Sequence, residues 1–400
     1  DYIPSMNRYL KSRYAFCLNM YIMKKEILND YFNWLFPILE KVHERIDYTN
    51  FSNYEHRCIG MVAERLFGIF YTYVKENRNY KTCELPFVKF HSLDNPNLIP
   101  AFETNNIPVV LLSSNKYAPL LAVTIQSIIS NSDRNKNYDL LVIINNFSEQ
   151  NKRRIKELAN GHENISIRYR NIGNILLNND VKNVHHINAF SYARLFIPDL
   201  FKNYDKVIYL DCDLFVNDDI SKLYTIDIDE NLLIAAKDIN VAGWSRQKNS
   251  KQKKYNEDVL CIEDTFSYFN AGVLVMNLKK LRGKYNIEDM LKIIKSQNWK
   301  WMDQDILNAL CNNQVKYLDL VWNTTISPYF NFQQLPVFMA PKQLFDEYVL
   351  SIKKAKIIHY AGHHVPCFRD EVDYSDLYWK HAKNTKYYYE TLVKMKGEKK

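Results

Sequence analysis

The sequence predicts an α/β fold with a mostly parallel central sheet, preceded by a helical N-terminal segment. Three observations carry this. From Ile107 onward, apolar runs of strand length alternate with helical stretches, the pattern of parallel βαβ units. Before that point, apolar residues recur at three- and four-residue steps, as on a buried helix face. Third, the run Val207-Ile208-Tyr209-Leu210 delivers two carboxylates, Asp211 and Asp213, at its end, and a second run, Leu214-Phe215-Val216, follows at once. Residues i and i+2 of a strand share a face. Two carboxylates beyond a buried strand form a hard oxygen site for a divalent cation, where open α/β sheets bind ligands. The Asp-x-Asp spacing alone decides little, because Asp227-Ile228-Asp229 and Asp303-Gln304-Asp305 share it.

In chain order, residues 1–85 read as helical: Tyr31, Trp34, Leu35, Ile38, Leu39 and Val42 form one stripe, and Ile59, Val62, Ala63, Leu66, Phe67 and Phe70 a second. Residues 86–106, with Pro86, Pro96 and Pro100, read as a connector. Pro108–Leu112 is the first buried strand, Ser113-Ser114-Asn115 a turn, and Tyr117–Ser130 a helix. Leu140–Ile144 and Ile165–Tyr169 are strands. Between them Ser148 caps a helix over Glu149–Leu158. Ala189–Phe201 reads as a helix broken near Pro198, and Leu232–Ala236 as a strand ending at Lys237-Asp238. Residues 243–265 are polar and Lys-rich, which predicts a mobile excursion; Ala242–Thr265 is the candidate acceptor loop. Phe269–Asn277 is a strand with small residues at its entry. Helices over Ile287–Gln297 and Asp303–Cys311 follow, then a short strand, Lys356–Tyr360. Residues 371–400 read as a basic C-terminal helix or tail.

The bulk numbers exclude more than they identify. The chain has 400 residues, 47% hydrophobic and 24% charged, and only nine Gly and 12 Pro, so long disordered linkers are not expected. A net charge of +8 suits an anionic ligand or membrane surface, but no nucleic-acid recognition motif accompanies it. Tyr is abundant, at 29 residues; it suits sugar stacking, and an A/T-rich coding sequence accounts for it as well. Seven cysteines (Cys17, Cys58, Cys83, Cys212, Cys261, Cys311 and Cys367) are scattered without zinc spacing and read as free thiols of a reducing cytoplasm. No signal peptide or membrane-spanning run occurs. The chain opens on Asp1 rather than Met, as a piece cut from a longer protein would.

Taken together, the strand-Ser113-Ser114-Asn115-Lys116-Tyr117-Ala118 entry, Tyr192-Ala193-Arg194-Leu195, Leu210-Asp211-Cys212-Asp213, Phe269-Asn270-Ala271-Gly272-Val273, Asp303-Gln304-Asp305 and His359-Tyr360-Ala361-Gly362 stand in one order over residues 107–370. This series resembles glycosyltransferase family 8, retaining enzymes that include lipopolysaccharide galactosyl- and glucosyltransferases. The resemblance implies a GT-A, Rossmann-like fold and transfer of a hexose, glucose or galactose, from a UDP-sugar to a bacterial surface glycan or lipid-linked acceptor. It implies Mn2+ as cofactor, with Mg2+ the alternative, and a cytoplasmic location at or near the inner face of the membrane. Residues 1–85, through Asn19–Lys25, Trp34-Leu35-Phe36-Pro37, Arg57 and Glu64-Arg65-Leu66, resemble the C-terminal part of a bacterial capsular-polysaccharide-synthesis domain. They read either as the tail of a second module or as a helical cap on the main domain.

By the same resemblance, Asp211, Asp213 and His359 are the metal ligands. A mixed carboxylate–imidazole set suits Mn2+ better than Mg2+. Arg194 lies near the diphosphate, where a fixed charge suits an oxygen-rich ligand. Asp238, Asn270 and Ala271 contact the donor sugar, and Asp303 and Gln304 flank the anomeric carbon; Asp303 also suits the cap of the helix that starts there. Cys212, Ser114, Asn115, Tyr117 and Gly362 complete the UDP-sugar contacts. The chain departs from the family pattern twice. Ser114 stands where an acidic residue often faces the uracil, leaving Ser114 or the adjacent Asn115 to bond the base. Val365-Pro366-Cys367 stands where Lys-Pro-Trp is frequent, so the phosphate-gripping lysine is absent, with His363, His364 and Arg369 as candidate substitutes. The alternative to an enzyme is a catalytically degenerate carbohydrate-binding or scaffold module. A peripheral membrane contact through Tyr387-Tyr388-Tyr389 and the late lysines is weighed against a solvated tail. Oligomeric state is not legible.

Overall fold

The computed structural model describes residues 2–12, 21–49, 51, 55–84, 97–173, 175, 189–326, 336–361, 365–369 and 372–397. The chain divides into two units, Asp1–Phe90 and His91–Lys400.

The first unit holds helices Ile3–Lys11, Lys25–His43 and Cys58–Asn77. Ile27, Tyr31 and Leu35, one helical turn apart, bury against Phe67, Phe70 and Val74. At the helix ends, Arg8 Nε donates to Glu76 at 2.7 Å and Arg78 pairs with Asp30 at 2.5 Å. These exposed ion pairs set orientation more than stability.

The second unit is built on a seven-stranded sheet. In chain order the strands are β1 (Asn106–Ser114), β2 (Asn137–Asn145), β3 (Ile165–Asn171), β4 (Lys206–Leu210), β6 (Leu233–Lys237), β7 (Phe269–Asn277) and β8 (Val315–Leu318), and in space they run β3-β2-β1-β4-β7-β6-β8. A three-stranded sheet, β5-β10-β9, is formed by β5 (Leu214–Val216), β9 (Thr324–Thr325) and β10 (Ile357–His359). The neighbours pair in parallel except at β7, which is antiparallel to both β4 and β6. Residues of β1, β2, β4 and β7 are buried almost throughout, because helices cover both faces.

Two features of this topology build the site. Because β7 runs against β4, the entry of β7 lies beside the exit of β4: Leu210 pairs with Val273, and Asp211 N donates to Gly272 O at 2.9 Å. And Asp211-Cys212-Asp213 is the link by which the chain leaves the large sheet at β4 and enters the small one at β5. There β10 pairs antiparallel, placing His359 opposite Leu214.

Several expectations need correction. The stretch Ala189–Phe201 is helical and changes near Pro198, as expected, but as a 3-10 helix, Ala189–Phe196, followed by a short α-helix, Ile197–Leu200, with Pro198 in its first turn, where its missing N–H costs nothing. Residues 243–265 are not a mobile excursion. They form helices Ile239–Arg246 and Lys251–Asp258, the second capped by Ser250. Part of their polarity is internal: Asn256 is fully buried and bonds Gln252, Ser245 and Thr265, while the lysines are exposed. Trp244 stacks on Trp301 at 5.6 Å between centroids. A Cβ at Gly243 would lie 1.7 Å from Pro336 O, so the first of these helices packs against backbone. Of Tyr387-Tyr388-Tyr389, Tyr387 is buried, its hydroxyl donating to Asn151 at 2.9 Å, while Tyr389 is exposed. No helix among the described residues is long and apolar enough to cross a membrane.

Candidate active site

The site forms where four chain segments meet: the β4–β5 link, the entry of β7, the helix Asp303–Leu310 and the end of β10. Asp211, Asp213 and His359 each offer one ligand atom, all within 4.8 Å of one another. His359 is 4% exposed, and its Nε2 lies 3.5 Å from Asp213 Oδ1 and 3.9 Å from Asp211 Oδ2. Burial disfavours the charged imidazole, but Asp213 and Asp211 more than reverse this, so its pKa is raised.

Three observations fit a divalent cation here. The donor set, two carboxylates and one imidazole, suits a borderline metal. The trio is only partly covered, with the two carboxylate side chains 24% and 22% exposed, so one side is left open for a ligand to approach. Thr325, paired with His359 in the small sheet, keeps a buried hydroxyl without a partner. A further feature shapes the cradle: a Cβ at Gly272 would stand 2.3 Å from His359 Cε1. Gly272→Ala is therefore expected to displace the imidazole and destabilise the fold by about 1–3 kcal/mol. Thermal melts read the second effect, and titration with Mn2+ reads the first as weaker binding.

Arg194 is the electrostatic centre. It is 9% exposed; Nη2 donates to Asp211 Oδ1 at 2.8 Å and Nη1 to Ala271 O at 2.6 Å. Its Nε lies 2.7 Å from Asp303 Oδ2; this is an ion pair without hydrogen-bond alignment, since Nε makes no hydrogen bond. The guanidinium also sits 4.7 Å over the Tyr209 ring. Burial works against its charge, and Asp211 and Asp303 overcome that, so it stays protonated. Asp303 does not cap its helix: the N-cap is Met302, at φ +52°, and Asp303 turns inward to Arg194. Burial pushes the Asp303 carboxyl up to about 6 against the pull of Arg194.

On the β7 side, Asp238 Oδ1 caps the helix Ile239–Arg246 by accepting from Asn240 N and Val241 N at 3.0 Å. Its Oδ2 accepts from Asn270 Nδ2 at 3.2 Å and Gln304 Nε2 at 3.4 Å. Gln304 Oε1 accepts from Ala271 N at 2.9 Å. Asp238, Asn270, Ala271, Asp303 and Gln304 are thus one network with the metal-type cluster.

The remaining sequence-nominated residues fall less evenly. Cys212 O accepts from Thr124 Oγ at 2.8 Å, which holds the link, and burial raises its thiol pKa. Tyr117 is 39% exposed beside Asp213 rather than a core tyrosine. Asn115 is committed internally: Oδ1 accepts from Ser148 N and Asn151 Nδ2, and Nδ2 donates to Asn146 O at 2.6 Å. Ser114, at the end of β1, therefore has the freer side chain. Gly362, His363 and His364 lie outside the described residues. Val365 and Cys367 are core residues, and Arg369 is exposed. Asn323, which no motif singled out, joins the cluster: His359 Nδ1 lies 2.9 Å from its Oδ1.

Comparison with known proteins places this geometry in context. The family model described as glycosyl transferase family 8 matches residues 108–366, and one described as a domain of unknown function (DUF4422) matches residues 1–77. A Haemophilus influenzae protein, provisionally named a glycosyltransferase, is 32% identical over 219 residues, 54% of this chain and 63% of its own length. The lipopolysaccharide 1,2-glucosyltransferase of Escherichia coli is 26% identical over 48% of this chain and 53% of its own. The chain thus spans little more than half to two thirds of these relatives. Among solved structures, the apo form of the bifunctional glycosyltransferase WbbM superposes with a TM-score of 0.67 at 30% identity, covering 98% of this chain and 70% of that one. The galactosyltransferase LgtC, in complex with donor and acceptor sugar analogues, does so with a TM-score of 0.58 at 25% identity, covering 70% and 96%.

Proposed function

This chain belongs to glycosyl transferase family 8, and from that premise we propose that it moves a hexose, with retention, from a UDP-sugar to a surface glycan or lipid-linked acceptor. The observation that carries the reading is the Asp211–Asp213–His359 trio, joined through Asp211 to an arginine that also pairs with Asp303. Asp211, Asp213 and His359 would hold a divalent cation, Mn2+ for preference, which when bound supplies Lewis-acid neutralisation of the diphosphate. Arg194 holds fixed positive charge at the same edge and positions Asp211 and Asp303. Asn270 and Asp238 present acceptors and a donor to sugar hydroxyls.

Gln304 is the residue proposed beside the anomeric carbon. Its Oε1 accepts from Ala271 N, which draws electron density from an oxygen that is already a weak nucleophile. This favours front-face attack by the acceptor hydroxyl, with the departing phosphate taking its proton, so that catalysis is mostly positioning and electrostatics. Mass spectrometry of the intact protein incubated with donor is expected to show no sugar adduct, in the parent or in Gln304→Ala. An adduct present in the parent and lost in the variant would overturn front-face attack.

One observation favours a second reading. Val365 and Cys367 are buried apolar residues at the place of the frequent lysine and tryptophan, so grip on the diphosphate rests on fewer charges. A donor screen across UDP-sugars with and without Mn2+, read by UDP release and by calorimetry, separates the two. Metal-dependent release that is lost in Asp211→Asn supports the transferase; no donor binding supports a non-catalytic carbohydrate-binding module. For residues 1–77, the match to a separate domain model and the extent of the likeness to a bifunctional enzyme support part of a second module.

A further inference from the structure

Asn323 precedes β9, is 3% exposed, and sits between Asn270 and His359, bonding both. We infer that Asn323 is a positioning residue that fixes the tautomer of His359, holding its proton on Nδ1 so that an unprotonated Nε2 faces Asp211 and Asp213. The inference rests on the reading of this trio as a metal centre.

Amide and imidazole orientations are usually ambiguous, but here two groups that cannot be reversed settle them. At one end, the backbone N–H of Gly272 donates to Asn270 at 2.9 Å, so the atom it meets is the oxygen, Oδ1. At the other end, Asp238 Oδ2 only accepts, so the Asn270 atom facing it at 3.2 Å is Nδ2. Asn270 therefore has one orientation. Its Oδ1 also faces Asn323 at 2.9 Å, which requires Asn323 to present Nδ2 there. Asn323 Oδ1 is then turned to His359 Nδ1 at 2.9 Å, and an oxygen without hydrogen requires Nδ1 to donate. A neutral imidazole that donates through Nδ1 keeps its lone pair on Nε2.

For the neutral imidazole, every alternative breaks a contact. Protonation at Nε2 alone would face two lone pairs across 2.9 Å. Flipping Asn323 moves that clash to Asn270 Oδ1. Flipping Asn270 sets its NH2 against the Gly272 N–H and its oxygen against Asp238. Since Asp238 Oδ2 also accepts from Gln304, one chain of bonds runs from Gln304 to His359. Outer partners of ligating histidines commonly set affinity in this way.

The test uses the full chain, metal-free, with 15N-labelled histidine. His359 is one of 10 histidines, and the resonances lost in His359→Gln assign it. In the neutral imidazole of the parent, Nδ1 is expected to carry the proton. Asn323→Leu, checked for folding by its melt, should populate the Nε2–H form and raise the Mn2+ Kd about 10–100-fold. Asn323→Asp keeps an oxygen toward Nδ1, although its second oxygen then opposes Asn270 Oδ1; it should retain the parent tautomer, with an affinity above that of the leucine variant. The inference is overturned if the parent carries the proton on Nε2, if folded Asn323→Leu keeps the Nδ1–H form, or if Asn323→Asp behaves as the leucine variant does. A parent in the Nδ1–H form that binds no Mn2+ upholds the positioning role and sinks the metal reading instead.

Discussion

Asp211→Asn is expected to abolish measurable Mn2+ binding, while Asp213→Asn only weakens it, although both remove one negative charge from the same trio. The difference lies in what already holds each carboxylate. Asp211 Oδ1 accepts from Arg194 Nη2 at 2.8 Å and from the Tyr209 hydroxyl at 2.6 Å. An asparagine there must keep its single oxygen on those two donors. Its NH2 is then forced into the place of Oδ2, the atom that faces His359 Nε2, so the variant aims a donor at the cation. Asp213 has no such clamp; its carboxylate faces His359 at 3.5 Å, and an amide can turn its oxygen toward the metal. Outer-shell changes alone cost metal sites about 10–100-fold in affinity. Asp213→Asn should fall in that range and Asp211→Asn beyond it, by titration calorimetry or manganese paramagnetic resonance. UDP release should fall in the same order. Equal losses in the two variants would mean that the Arg194–Tyr209 clamp does not orient Asp211.

The same clamp shows what sequence reasoning could and could not reach. Asp211 and Asp213 were legible because the strand period is local: an apolar run followed by Asp-x-Asp puts two carboxylates on one side, whatever the rest of the chain does. The alternating strands and helices were legible for the same reason. His359 was reachable only through resemblance, since nothing local distinguishes it from a histidine at any strand end. Asn323 carried no signal, because its role depends on β9 pairing with β10, some 35 residues away in the chain. Two misreadings share one cause. The helix Lys251–Asp258 looked like a solvated excursion because residues 243–265 are polar and Lys-rich, yet Gln252 and Asn256 are buried and bonded to each other. Asp303 looked like a helix cap, and a tertiary partner, Arg194, took its side chain instead. Local polarity rules assume that a polar side chain seeks water or its own backbone. They fail where two polar side chains bury each other.

Arg194→Met is expected to produce the largest loss of stability, and one that grows with pH. Methionine fills similar space without charge, so the variant isolates electrostatics. The substitution strands Asp303, 5% exposed, without its counter-charge, and breaking a buried pair from one side costs about 3–5 kcal/mol. Burial already pushes the Asp303 carboxyl up to about 6, with Arg194 opposing it. A carboxyl whose folded pKa lies above its unfolded value of about 3.9 binds its proton more tightly when folded. It therefore favours the folded state at low pH, and that contribution is lost as pH rises from about 4 to about 6. Without Arg194 the folded value moves higher still, and the decline continues past the point where the parent levels off. The gap in melting temperature between parent and variant should be small near pH 5 and widen toward pH 8. Adding Asp303→Asn to Arg194→Met removes the stranded charge and should close most of the gap at pH 8 while leaving donor turnover lost. A gap that does not change with pH would place the cost in lost packing over Tyr209 rather than in charge. Arg194 would then be a structural arginine that merely passes near the site.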